Sequence, residues 1–298
     1  MTRSYYESSA RARIAGLLDT DSFDEWLPAA DRVTSPHLAT LEQPAAFDDG
    51  VIVGQGSIAG KQIFIAAQEG GFMGGAVGEV HGAKLVGVLE RAVRDHPAAV
   101  LLLLETGGVR LQEANAGLIA VSEVMRAILS ARAAGVPVIV VIGGQYGCFG
   151  GMGIAARCAS TIIISEEGRL GLSGPEVIET ARGVEEYDAR DRALVWRTVG
   201  GKHRYLLGEC DTIAPDSMKA FQQAIIARIN NGEDWSMAAL EREHQLLADR
   251  VQRFGECKDG RDIWRELGWP DPDAIAMMDN DEFVAAAQGR RANSKVES

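Results

Sequence analysis

Cysteine is scarce in these 298 residues: Cys148, Cys158, Cys210 and Cys257 are the whole complement, and no two stand as CxxC. None of the five histidines (His37, His81, His96, His203, His244) lies at ligand spacing from them, so no zinc or other metal site is expected. The thiols read as reduced and mostly buried. Long apolar runs are missing too. The longest, Ala98 to Leu104, falls far short of the roughly 20 residues that cross a bilayer. No apolar stretch follows Arg3, so the expectation is a cytoplasmic chain with no secretory signal and no membrane partner. Basic residues are in deficit, 30 against 42 acidic, a net charge of −12. That balance argues against a nucleic-acid partner, which needs a cationic footprint. GxSxG, HExxH and GxxxxGK[ST] are all absent. With 46% apolar and 24% charged residues, the chain still has an ordinary globular composition and enough apolar mass for a sizeable core.

Glycine is the surplus: 34 residues, against about 7% of a typical chain. Residues 1–50 are polar and interrupted by Pro28, Pro36 and Pro44, and read as a partly helical N-terminal arm with short helices near Ile14–Leu18 and Phe23–Leu27. From Val51 the texture changes. Val51-Ile-Val-Gly and Gln62-Ile-Phe-Ile-Ala-Ala, separated by Gly54, Gly56 and Gly60, predict a hairpin. Leu85, Val88, Leu89 and Ala92 recur at helical spacing and predict a helix over Glu79–Arg94. Ala98–Leu104, Val136–Ile142 and Thr161–Ile164 read as buried strands and Arg169–Leu172 as a further one. Leu118, Val121, Met125 and Ile128 mark a helix between the first two, and a short glycine-rich helix spans Gly150–Arg157.

Only seven charged residues fall between Ala98 and Ile164, which predicts strands covered on both faces inside an α/β layer. After Pro175 the chain turns charged and helical. Met218, Phe221, Ile225 and Ile229 mark one amphipathic helix, and Met237, Leu240, Leu247 and Val251 another. The resulting division is an arm over 1–50, a domain over 51–287 that is helical from about 176, and a polar, frayed tail over 288–298.

Three glycine clusters flank the buried strands: Gly70–Gly78, Glu105-Thr-Gly-Gly-Val-Arg-Leu-Gln-Glu113 and Gly143–Gly153. A Gly-Gly pair at a strand-to-helix switch lets peptide N–H groups face a cleft with no side chain in the way. A helix N-terminus adds further free donors, and together they suit an anion or a developing oxyanion. A plain tight turn is the rival reading of any one cluster, although two such turns after consecutive strands point to paired donors over one cleft. Gly74-Gly-Ala-Val-Gly78 fails the spacing of a dinucleotide fingerprint. His81 reads as a local hydrogen-bonding residue and Glu105 as structural. Cys148 reads as a buried thiol rather than a nucleophile, and Arg110 reads equally as an anion contact or as a partner of Glu113.

Four ordered segments carry a resemblance: Phe72-Met-Gly-Gly-Ala-Val-Gly-Glu-Val-His-Gly-Ala-Lys84, Thr106-Gly-Gly-Val-Arg-Leu-Gln-Glu113, Gly150-Gly-Met-Gly153 and Gly171-Leu-Ser-Gly-Pro-Glu-Val-Ile-Glu179. Over roughly Val51 to Pro215 the chain resembles the carboxyltransferase branch of the crotonase superfamily, with order and spacing similar to acetyl-CoA carboxylase β subunits and, most closely, to β subunits of biotin-independent malonate decarboxylases. The resemblance implies the crotonase-like α/β fold, a superhelix of stacked ββα units. Gly107 and Gly108 look like the oxyanion turn for a thioester enolate, and Gly150 and Gly151 like the second turn at the reacting end of the acyl group. Phe72, Met73, Gly74 and Gly75 resemble the loop beside the thioester arm, and Ser173, Gly174 and Pro175 the turn packed under the site. Arg110, Gln112 and Tyr146 join these as expected substrate contacts.

Two departures separate the chain from acetyl-CoA carboxylase. No cysteine precedes Cys148, so a four-cysteine zinc ribbon is absent, and Cys148-Phe-Gly-Gly-Met stands where that family has Thr-Thr-Gly-Gly-Val. The implied activity is decarboxylation of a malonyl thioester through an oxyanion-stabilised enolate. The chain itself is expected to bind no cofactor; the substrate rides the phosphopantetheine arm of an acyl-carrier protein. Because chains carrying both crotonase-like domains are about twice this length, the resemblance implies a heterodimer with a homologous γ subunit, and further an acyl-carrier subunit and an acyl-carrier transferase. The alternatives are a biotin-dependent carboxyltransferase subunit and a non-catalytic scaffold half. The donor that protonates the enolate stays open among Tyr146, His81, water and the partner.

Overall fold

The computed structural model describes residues 3–42, 49–229 and 235–293. Seven strands lie in chain order across one sheet: β1 (Asp24–Trp26), β2 (Val51–Ile58), β3 (Lys61–Gln68), β4 (Ala99–Leu103), β5 (Val138–Ile142), β6 (Thr161–Ser165) and β7 (Thr212–Ala214). The first three pair antiparallel and the rest parallel. Ala59 and Gly60, both at positive φ, close the β2–β3 hairpin in the hand that matches strand twist. Parallel neighbours need crossovers. These carry α3 (Glu79–Asp95), α4 (Ala116–Ala133) and α5 (Gly151–Arg157); a longer one, from β6 to β7, carries α6 (Pro175–Arg182), α7 (Arg192–Val199) and α8 (Gly201–Leu206). The chain opens with α1 (Ala10–Leu17) and α2 (Pro36–Thr40), and closes with α9 (Met218–Ile229), α10 (Met237–Phe254), α11 (Gly260–Glu266) and α12 (Asn280–Ala286).

Alternation along the strands explains why they read as unbroken apolar runs. Val100, Leu102 and Leu104 join a core with α3, α4 and α5, whereas Ala99, Leu101 and Leu103 join a second core with α1 and α9. Past each parallel strand lies a short second ladder. Val77 bridges Val109, Thr106 bridges Cys148 and Cys148 bridges Leu170, all in parallel. The repeating unit is therefore strand, bridging residue, helix, stacked four times, which is the crotonase-like α/β arrangement of a seven-stranded mixed sheet. The glycine clusters are the turns between the two ladders.

Several expectations change. Phe23–Leu27 is not helical: β1 lies there, held by Trp26 edge-on against Phe64 (4.9 Å between centroids) and by pairing of Asp24–Trp26 with Gln55–Val53. A distant partner strand outweighs the local pattern. Residue 50 is not a boundary, because Tyr5, Ala10, Ile14 and Leu17 are buried in the second core and β1 is part of the sheet. Arg169–Leu172 contributes single bridges rather than a continuous strand. The tail is docked as far as it is described. Ala292 N–H donates to the Leu206 carbonyl at 2.7 Å, and the Arg291 guanidinium lies 4.0 Å from the Tyr205 ring centre; residues 294–298 lie outside the described residues. In α10 the predicted apolar spacing is present, yet Met237, Leu240, Leu247 and Val251 all face solvent and only Phe254 is buried. Among the described residues no helix is long and apolar enough to cross a membrane.

Candidate active site

Four backbone turns lie edge to edge where the two ladders meet. Residues 72–75 pass through positive φ at Met73, Gly74 and Gly75, and the Gly74 carbonyl accepts the Gly107 N–H at 2.8 Å. On the other flank the 106–108 turn meets 148–151. Thr106 N–H donates to the Gly147 carbonyl at 2.8 Å, and Phe149 N–H to the Thr106 carbonyl at 2.9 Å. A β-carbon on Gly150 would stand 3.1 Å from the Gly108 Cα. The Leu172 carbonyl then receives the Gly150 N–H at 2.9 Å. The structure thus brings together Phe72–Gly75, Gly107, Gly108, Gly150 and Gly151, with Ser173, Gly174 and Pro175 following directly on Leu172. Gly108 (φ +141) and Gly150 (φ +65, ψ −147) occupy backbone regions that side-chain-bearing residues avoid.

The donors differ from those expected. The N–H groups of Gly107 and Gly150 are committed to the Gly74 and Leu172 carbonyls, so neither is free for a ligand oxygen. Gly108 N–H meets only its neighbour's hydroxyl, Thr106 Oγ1 at 3.1 Å, a contact that a stronger acceptor displaces. Gly151 and Met152 begin α5, and their N–H groups have no partner among the described residues. The same holds for Val109 N–H, next to Gly108. The turn donors without a backbone acceptor are therefore Gly108, Val109, Gly151 and Met152. The second and fourth were missed because a glycine pattern marks only where a side chain is missing. The α4 dipole does not bear on Gly108 either, since α4 starts only at Ala116. Residues 109–113 first bridge to Val77 and build an ion pair.

That ion pair settles Arg110. Its side chain is 1% exposed, bonded to Asp49 and, at 2.9 Å, to Glu113 Oε1. Glu113 Oε2 also accepts the Glu79 N–H that opens α3 (2.6 Å). Arg110 is an internal brace and not an anion contact, which corrects that expectation. Glu105 is likewise internal: it pairs with buried Arg13 and accepts the Tyr146 N–H at 3.1 Å. The Tyr146 side chain is 44% exposed beside the turns. Gln112 is also exposed and bonds to none of the four turns.

Neither titratable candidate is available for chemistry. His81 is buried, donating from Nδ1 to the Asp49 carbonyl and accepting at Nε2 from the Gln68 amide, each at 3.0 Å. Burial, reinforced by Arg110, pulls its pKa down to about 3, so the ring is neutral. Cys148 is wholly buried, and burial pushes its thiol up to about 12. Among the described residues no cluster of three His, Cys, Asp or Glu side chains is placed to hold a metal ion. What remains is a set of backbone donors at the turns, with exposed apolar side chains in the segments that follow them, including Leu111 (89% exposed), Leu118, Ile119, Ile154 and Leu172 (67%).

Comparison with known proteins gives a consistent set. The family model described as the carboxyl transferase domain matches residues 6–230. The chain is 41% identical, over 97% of both sequences, to the malonyl-S-ACP:biotin-protein carboxyltransferase MADC of Malonomonas rubra. Among solved structures it is similar to a chain of the Pseudomonas malonate decarboxylase hetero-tetramer in complex with malonate (TM-score 0.78, 41% identity, covering 87% of this chain and 95% of that one). A chain of the Pseudomonas MdcD–MdcE hetero-dimer of malonate decarboxylase is also similar (TM-score 0.67, 38% identity, covering 85% and 97%).

Proposed function

The chain belongs to the carboxyl transferase domain family, and we propose that it is the β-type half of a malonate decarboxylase. The carrying observation is the apposition of two glycine turns, Gly107–Gly108 and Gly150–Gly151, in which Gly151 N–H has no partner among the described residues and Gly108 N–H is held only by the Thr106 hydroxyl. A malonyl thioester seated with its carbonyl oxygen at these donors loses its terminal carboxylate as CO2. The electron pair of the broken C–C bond passes into the enolate, whose negative oxygen the donors stabilise. One such preorganised donor contributes about 3–4 kcal/mol to the transition state. Addition of one proton at carbon then gives the acetyl thioester. With His81 neutral and enclosed, Tyr146 is the one side chain of this subunit among the proton sources considered.

The substrate arrives on the phosphopantetheine arm of an acyl-carrier protein; the Malonomonas relative is named for malonyl-S-ACP. A homologous second subunit closes the site against the exposed apolar side chains; the similar Pseudomonas chain is described as part of a malonate decarboxylase hetero-dimer. An acyl-carrier transferase recharges the carrier with malonate. The same Malonomonas name favours a second reading, in which the carboxyl group passes to a biotin protein rather than leaving as CO2. The deciding experiment co-expresses the chain with its partner subunit and supplies malonyl-loaded carrier. Stoichiometric CO2 and acetyl carrier are expected, and no product from the assembled complex overturns the proposal.

A further inference from the structure

A second cavity, of about 440 Å³, opens between α7, α8, α11 and the 272–277 turn, and none of the glycine-turn residues lines it. Its innermost groups are His203 and Trp264, 5% and 6% exposed. The Trp264 indole N–H donates to His203 Nδ1 at 3.1 Å. An indole nitrogen only donates, so Nδ1 carries no proton and the neutral ring must carry its hydrogen on Nε2. Burial and the nearby Arg204 keep that ring neutral. His203 lines the cavity, and no protein group among the described residues bonds its Nε2–H. The natural complement of such a donor is a neutral acceptor on a ligand.

Charge lies further out. Arg192 is exposed and has no ion-pair partner among the described residues. Arg261 and Arg197 hold Asp273 and Asp259 through Nε at 2.7 and 2.8 Å, which leaves their outer guanidinium nitrogens available. Lys202 is already saturated by Glu166 and the Ile275 and Met278 carbonyls, and braces the wall. Trp196, oriented by its N–H bond to the Glu166 carbonyl at 3.1 Å, supplies a second aromatic lining. The site thus offers indole surface and one neutral donor inside, with guanidinium groups at the mouth. Its volume suits a ligand of small-cofactor size.

We infer that this cavity binds a purine mononucleotide, with a ring acceptor on His203 Nε2–H and the phosphate at Arg192 and Arg261. Flat heteroaromatic ligands stack on indole, and guanidinium groups match phosphate in geometry and charge. The helices that line the cavity are tied to the catalytic turns by backbone bonds. Between α7 and α8, Val199 accepts the Leu170 N–H at 2.9 Å, and Leu172, two residues on, holds Gly150. This site stands independently of the catalytic reading.

Calorimetric titration of the partner-assembled protein with AMP, adenosine and inorganic phosphate tests it. AMP is expected to bind once and saturably, with adenosine and phosphate each at least about tenfold weaker. Arg192→Glu, an exposed change, should weaken AMP about tenfold and leave adenosine unaffected. Ala193→Trp, which fills the cavity from the exposed face of α7, should abolish AMP binding with the fold intact by circular dichroism. Absence of saturable AMP binding at millimolar concentration, or an affinity unchanged in both variants, overturns the inference. The readout is binding, so a failure here leaves the decarboxylase assignment standing.

Discussion

Gly150 and Gly108 touch with no room between them: a β-carbon on Gly150 would lie 3.1 Å from the Gly108 Cα, backbone against backbone. The contact joins turns that are 42 residues apart in the chain; Gly151 N–H has no partner among the described residues, and Gly108 N–H is held only by the Thr106 hydroxyl. The contact sets the donors of one turn beside those of the other.

Substitution within the first turn should separate donors from framework. Gly108→Val forces a branched side chain onto φ +141, a strain of about 1–3 kcal/mol that reorients its N–H. Loss of that donor should lower kcat by about two to three orders of magnitude. Gly107→Ala is the control, because the Gly107 N–H is already bonded to Gly74, and kcat is expected to stay within about tenfold of wild type. Turnover of the assembled Gly108→Val complex at the wild-type rate rules out Gly108 as a donor.

The apolar rim should carry the partner subunit. Ile119 and Leu172 are 62% and 67% exposed, so a charge at either costs the isolated fold little. Ile119→Glu and Leu172→Glu should each weaken hetero-dimer formation at least tenfold in analytical ultracentrifugation while the melting temperature of the isolated chain moves by no more than about 2 °C. Undiminished assembly by both variants would place the interface elsewhere.

How much of this was legible in the sequence depends on how far the deciding contact lies along the chain. From Val51 to Ser165 the strands and helices appear where apolar periodicity puts them, because every second strand residue enters one of two cores. Asp24-Glu-Trp26 carries no such periodicity and becomes a strand only through Gln55–Val53. The glycine turns were legible as places, but their donors were not. Whether Gly107 keeps its N–H free is decided by Gly74, and Gly150 by Leu172, through bonds that spacing does not encode. Arg110 resolves in the same way, since its partner Asp49 lies 61 positions away.

Acid should destabilise the fold well above the carboxylate range. His81 and His203 are both held near 3 when folded, by burial first, against an ordinary 6.5. The unfolded chain therefore binds their protons below about pH 6.5 while the native state does not, so stability is full above that value and falls toward pH 3. Each histidine contributes a slope of about 1.4 kcal/mol per pH unit in that window. Urea unfolding between pH 7 and 4.5 checks this, and His81→Gln should lower the slope by about one proton. A flat stability profile down to pH 4.5 would show that these rings take up protons in the folded state.

Biotin and metal ions should be dispensable. A transcarboxylation must hand the carboxyl group to an acceptor held in place, whereas decarboxylation releases CO2 and leaves only the enolate oxygen as new charge. Backbone donors at Gly108 and Gly151 answer that charge without a Lewis acid. Their strength does not vary with divalent metal concentration, and no titrating side chain of this subunit has been placed at the oxyanion. Avidin and EDTA should therefore leave turnover of malonyl-loaded carrier by the assembled complex within about twofold of the untreated rate. Inhibition by avidin, relieved by free biotin, would move the chain to the biotin-dependent reading while keeping the same donors. Loss of activity with EDTA, restored by one divalent ion, would instead require a ligand set contributed by the partner subunit or by residues outside those described.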